Sequence, residues 1–160
     1  MKQRPQITEE IITEVAKKTL MEMGREVDDN NIRALVDEFH PGIDGFDLAI
    51  RLHESWDWEI DSMDVETLDC MSTTANQLHQ EAQFKWAEEN NITPPHPIGT
   101  RIRQGVITEV HTHSAATYLV KENGSFMSLS EQPYIYEDPA DGKGTRRLLV
   151  RFEDAVPVTD

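Results

Sequence analysis

Cysteine is almost missing. The one residue, Cys70, excludes an internal disulfide, and its place between Leu68 and Met71 predicts a buried, inert thiol. No apolar run approaches the roughly 20 residues of a membrane-spanning helix. The opening MKQRPQITEE lacks the apolar centre of a signal peptide, so no membrane contact is expected and the expected location is cytoplasmic. There is no G-x-S-x-G, no phosphate loop, no G-x-G-x-x-G and no cysteine with a His-and-Asn pattern. Ser128 and Ser130 sit in a loop among acids with no base nearby. These absences point to a protein that is not an enzyme and carries no cofactor.

Positive charge is also scarce. Fifteen Lys and Arg face thirty Asp and Glu, a formal net charge of −15, with apolar residues at 38%. The imbalance is uneven: residues 1–93 hold 21 acids and 8 bases, residues 94–160 hold 9 and 7. An acidic front half repels nucleic acid and anionic membranes and attracts basic surfaces. Solubility alone is the plainer explanation of the same charge.

The chain is organised around Ser62–Asn90, which has no Gly or Pro. Val65, Leu68, Met71, Ala75, Leu78, Ala82 and Trp86 recur every three or four residues, predicting one long helix with a continuous apolar stripe. Three shorter helices are expected before it. The first is capped by Thr8 and stopped by Gly24; the second is capped by Asp28 or Asp29, with Ile32, Leu35, Val36 and Phe39 on one face. The third runs from about Gly45 to Trp56 behind Asp44 and Asp47. Its apolar residues Phe46, Leu48, Ala49, Ile50 and Leu52 cover more than one face, so it is expected to touch several neighbours. His40 reads as a helix C-terminal cation and His53 as a hydrogen-bonded residue at the core edge.

Pro94, Pro95 and Pro97 form a stiff joint. Beyond it lie short β-type runs at Ile98–Arg103, Gly105–Val110, Ala116–Lys121, Tyr134–Tyr136 and Arg147–Phe152, separated by turn residues, with Ala155–Val158 as a further edge segment. The predicted fold is α+β. An acidic helical domain of about four helices (1–93) is followed by a Pro-rich linker (94–97) and a small SH3-like antiparallel β-barrel (98–160).

The densest feature is Glu54, Asp57, Glu59, Asp61, Asp64, Glu66 and Asp69, seven acids in 16 residues with no base, interleaved with Trp56 and Trp58. Asp57, Glu59 and Asp61 alternate as in an EF-hand loop. The sixth position, however, is Ser62 instead of Gly and the twelfth is Leu68 instead of Glu, so the turn and the principal ligand are missing. A row of carboxylates can instead imitate the phosphates of DNA, about one per 3.4 Å along each strand, and enter the basic groove of a nucleic-acid enzyme. Acids placed by helix ends and solvated elsewhere give the same list with no function. By charge and size the chain resembles, as a class, the small acidic inhibitors that phages use against host restriction or CRISPR nucleases. That resemblance implies a basic protein partner, with Trp56 or Trp58 as anchor, and host cytoplasm if the chain is phage-encoded.

His111 and His113 would face one side of a strand and offer two imidazoles to a metal, with His96 or Glu109 as a third ligand; this is the competing, metal-dependent reading. The bases Arg101, Arg103, Lys143, Arg146, Arg147 and Arg151, with Tyr118, Tyr134 and Tyr136, would make a nucleic-acid face on the barrel, or an adaptor. The near-neutral balance of that half argues against direct nucleic-acid binding. Helices two and three do not read as a helix-turn-helix, because the reading helix would carry Asp47 and Glu54 against Arg51 alone.

Overall fold

A computed structural model describes residues 2–122, 134–137 and 145–159, with side chains omitted at 134–137, 145 and 146. Asn123-Gly124, Ser128, Ser130 and the expected turn at 138–144 lie outside the described residues. The fold is α+β. Helices α1 (Glu9–Glu22), α2 (Asp29–Glu38), α3 (Gly45–Trp56), α4 (Ser62–Asp69) and α5 (Met71–Glu89) precede strands β1 (Arg101–Ile102), β2 (Gly105–Val110), β3 (Thr117–Glu122), β4 (Tyr134–Glu137) and β5 (Thr145–Arg151) and a 3₁₀ turn at Phe152–Asp154. The chain divides into two compact units, Arg4–Ala82 and Gln83–Asp160, the latter with Met1–Gln3. The division falls inside α5, before the prolines that mark the sequence-based boundary.

In the helical unit the caps follow local chemistry. Thr8, Asp28, Asp44 and Asp61 each accept a hydrogen bond from a backbone N–H in the first turn of their helix. Gly24, with φ +67°, follows α1 in the left-handed conformation that closes a helix. The core gathers Val15, Leu20, Leu35, Leu48, Leu52, Trp58, Leu68 and Met71. Each fully buried aliphatic side chain contributes roughly 1.5–3 kcal/mol.

The long helix is interrupted. Cys70 ends α4, its N–H bonding to Thr67 and Leu68 carbonyls, and α5 restarts at Met71. Thr67 and Thr74 return their hydroxyls to the carbonyls of Met63 and Cys70, a back-bonding that bends helices. Asp69 meanwhile reaches across to the Gly45 N–H at 2.8 Å. The predicted stripe survives the break at Leu68, Met71 and Ala75, all buried. Cys70 is exposed, which corrects the expected buried thiol. The third helix is also less enclosed than its sequence implies. Leu48, Ala49 and Leu52 are buried, whereas Phe46 is 64% and Ile50 39% exposed.

In the second unit the sheet runs β1-β2-β3-β5-β4, every pairing antiparallel, with a bulge in β2 between Ile107 and Glu109. β1 and β4 are its edges and do not pair, so among the described residues the sheet is open and not the closed barrel expected. The tail does cover an edge: Ile102 bridges Pro157, and Val158 donates to the Arg101 carbonyl at 3.0 Å. Ile102, Ile107, Tyr118, Val120, Leu148, Val150 and Phe152 form the core, with Ile92 against it. The expected alternation holds in β5, where Leu148 and Val150 are buried and Arg151 is exposed. The Tyr118 hydroxyl donates to the His96 carbonyl and accepts from the His96 N–H, both at 2.8 Å, while His96 Nε2 lies 3.0 Å from the Ala155 carbonyl. The prolyl segment is therefore fastened to the sheet.

Gly45 shows how closely α3 and α4 approach. A Cβ there would stand 2.2 Å from the Val65 carbonyl oxygen and 2.6 Å from the Asp69 nitrogen, both backbone atoms. Gly45→Ala is therefore expected to destabilise the helical unit by at least about 1–3 kcal/mol, the usual cost of overpacking. A thermal unfolding curve unchanged by that substitution would contradict this packing.

Candidate functional site

The acidic run spans the end of α3, a five-residue connector and α4, and its members divide by what they touch. Asp61 and Asp64 form a reciprocal capping box: Asp61 Oδ1 accepts from Asp64 N at 2.9 Å and Asp64 Oδ2 from Asp61 N at 3.3 Å. Asp69 caps Gly45. Glu54, Asp57, Glu59 and Glu66 are exposed, and among the described residues their side chains make no hydrogen bond or ion pair. Asp57 closes α3 in the left-handed region (φ 55°, ψ 33°), which Asp tolerates better than most residues. Asp57, Glu59 and Asp61 do not converge as calcium ligands; no group of three or more His, Cys, Asp or Glu among the described residues could hold a metal.

The tryptophans are placed differently from the sequence expectation. Trp58 is 6% exposed and joins the helical core, with the Arg25 guanidinium 4.3 Å from its ring centroid. Arg25 also donates to the Glu59 carbonyl, while Trp58 N bonds to the Leu52 carbonyl at 3.3 Å. The carbonyl of Trp58 holds His53 Nδ1 at 3.0 Å, the hydrogen bond expected of that histidine. Trp58 thus organises the connector and is not available as an anchor. Trp56 is half-buried and donates Nε1–H to Glu38 Oε1 at 3.2 Å.

Two grooves flank the outer face of α3 and share Ile50 and Glu54. One, of about 440 Å³, has an apolar floor of Phe46, Ile50, Trp58, Ile60 and Val65. The other, of about 630 Å³, sets Glu38, Asp44, Asp47 and Glu54 against Arg51 and His40. Sequence reasoning passed over Phe46 and Ile50 as site residues. Their signal was an apolar pattern too broad for one buried face.

On the sheet, β2 ends at Val110, so His111 lies just beyond it, its N–H donating to the Thr117 carbonyl at 2.8 Å, and His113 lies in a turn. Their rings still meet edge to face, with centroids 5.6 Å apart. His111 Nδ1 is buried without a hydrogen-bond partner among the described residues. Burial first, and then the neighbouring His113, hold the His111 imidazole below its usual pKa, with Glu109 opposing. Among the described residues no third ligand completes a metal site. The supposed stacking face is also altered: Tyr118 is fully buried, which pushes its phenol pKa up, and Arg147 lies 3.5 Å from Glu109. Lys143 and the side chains of Tyr134, Tyr136 and Arg146 lie outside the described residues.

Compared with protein-family models, curated proteins and solved structures, the chain matches none. No helix among the described residues is long and apolar enough to cross a membrane.

The unfolded chain takes up a proton on His111 near the ordinary pKa of 6.5, before the folded chain does. It therefore binds more protons as pH falls through that value, and folding stability drops with it. Melting followed from neutral pH downward is expected to show this loss, and His111→Gln should flatten it. An unaltered pH profile in that variant would exclude the assigned role.

Proposed function

We propose that this chain is a non-enzymatic interaction protein whose acidic helical face binds a basic protein surface. In its most concrete form it is an inhibitor that occupies the nucleic-acid-binding groove of an enzyme, in the manner of phage anti-restriction or anti-CRISPR proteins. The observation that carries the reading is the set of exposed carboxylates Glu54, Asp57, Glu59 and Glu66, which have no partner among the described residues. None of the described bases pairs with them. Ion pairs among the described residues form elsewhere, as at Lys17–Glu14, Arg33–Asp37, Lys85–Glu89 and Arg147–Glu109. Unpaired carboxylates keep their full field for a partner, speed its approach and make the complex salt-sensitive.

A second reading, an adaptor built on an SH3-like barrel, draws support from the 3₁₀ turn after β5 and the tail that returns to pair with β1. It leaves the charge of the helical unit without a role and ranks second.

Capture of partners from host lysate tests the proposal. A basic nucleic-acid-binding protein is expected to be retained at about 50 mM salt and largely lost at about 200 mM. Glu54→Lys, Asp57→Asn, Glu59→Lys and Glu66→Lys combined should abolish capture while circular dichroism stays native. Retention of a basic partner by this variant at low salt would refute the assignment.

A further inference from the structure

Most of the apolar surface in the helical unit is enclosed, yet α3 keeps two large apolar side chains outside. Phe46 is 64% and Ile50 39% exposed, one helical turn apart. They stand beside an open groove floored by Trp58, Ile60 and Val65, with room for a few aliphatic side chains. The adjoining groove on the same helix shares Ile50 and Glu54 and carries Glu38, Asp44, Asp47 and Glu54 against Arg51 and His40. Glu38 and Asp44 are engaged with Trp56 and the α3 N-terminus, while the carboxylates of Asp47 and Glu54 accept nothing from the described residues. One face of α3 is therefore apolar on one flank and acidic on the other.

We infer that this face is a docking site for a basic amphipathic helix of a partner protein, its apolar ridge over Phe46 and Ile50 and its Lys or Arg side chains toward Asp47 and Glu54. Charge complementarity selects that occupant. A purely apolar segment would leave the acidic groove unpaired, an acidic segment would be repelled, and a flexible polybasic one would leave Phe46 and Ile50 uncovered. The inference rests on the acidic-face reading and adds to it where the contact is made and what shape of segment makes it. Rigid aromatic anchors dominate such contacts, which gives Phe46 the part that the buried Trp58 cannot take.

The test uses the full chain and a fluorescent synthetic peptide of Leu and Lys, about five turns long, with Leu at helical spacing. A second peptide has the same composition scrambled so that no stripe forms. Anisotropy is expected to give at least about tenfold tighter binding of the striped peptide, reduced at least about tenfold by Phe46→Ala combined with Ile50→Ala. Phe46 is 64% and Ile50 39% exposed, so the double variant should remain folded, with native circular dichroism. Equal binding of the two peptides, indifferent to the double variant, would overturn the groove while leaving the acidic face in place. Failure of both peptides to bind at low salt would remove both readings. Sedimentation showing a dimer that Phe46→Ala disperses would assign the groove to a second copy and also overturn the inference.

Discussion

The helical unit depends on the approach of the α3 N-terminus to the backbone of α4. Only a residue without a side chain fits at Gly45, and the Asp69 carboxylate rewards that approach by accepting the Gly45 N–H. A charged acceptor at the positive end of a helix is worth more than a neutral one. With these backbones in contact, Leu48 and Leu52 turn inward beside Leu68. Phe46 and Ile50 are left outward over the groove that Val65 and Ile60 floor. The same contact accompanies the break after Asp69, where the predicted long helix becomes two.

The carboxylates of one stretch fall into two sets. Asp61, Asp64 and Asp69 satisfy backbone donors that helices leave open, each such cap being worth about 0.5–2 kcal/mol. Glu54, Asp57, Glu59 and Glu66 satisfy no donor among the described residues. Carboxylates of one sign crowded together oppose folding. Helix ends account for the first three, while the other four are the ones the proposed recognition role would use.

Much of this was legible in the sequence. Thr8, Asp28 and Asp44 marked helix starts, because a short oxygen-bearing side chain before an apolar stripe has a local job that tertiary packing does not cancel. The strands were legible from β-branched runs between turn residues, and Leu148 and Val150 from their alternation. What failed were inferences that need a third dimension. Cys70 was expected to be buried because Leu68 and Met71 are, but at helical spacing it points away from their stripe and is exposed. Trp58 was expected on the surface among acids, but the connector folds back and buries it under Arg25. The His111–His113 pair was placed on a strand that stops one residue earlier. The open edge of the sheet could not be read from strand count, since closure depends on which strands pair.

The most direct test of the account is an amide scan of the seven acids, Asp to Asn and Glu to Gln one at a time, with each variant measured for both melting temperature and affinity for a basic partner. The account expects Asp61, Asp64 and Asp69 variants to lose stability at nearly unchanged affinity, and Glu54, Asp57, Glu59 and Glu66 variants to lose affinity at nearly unchanged stability. Affinity and stability falling together across all seven, or affinity falling for none, would contradict it.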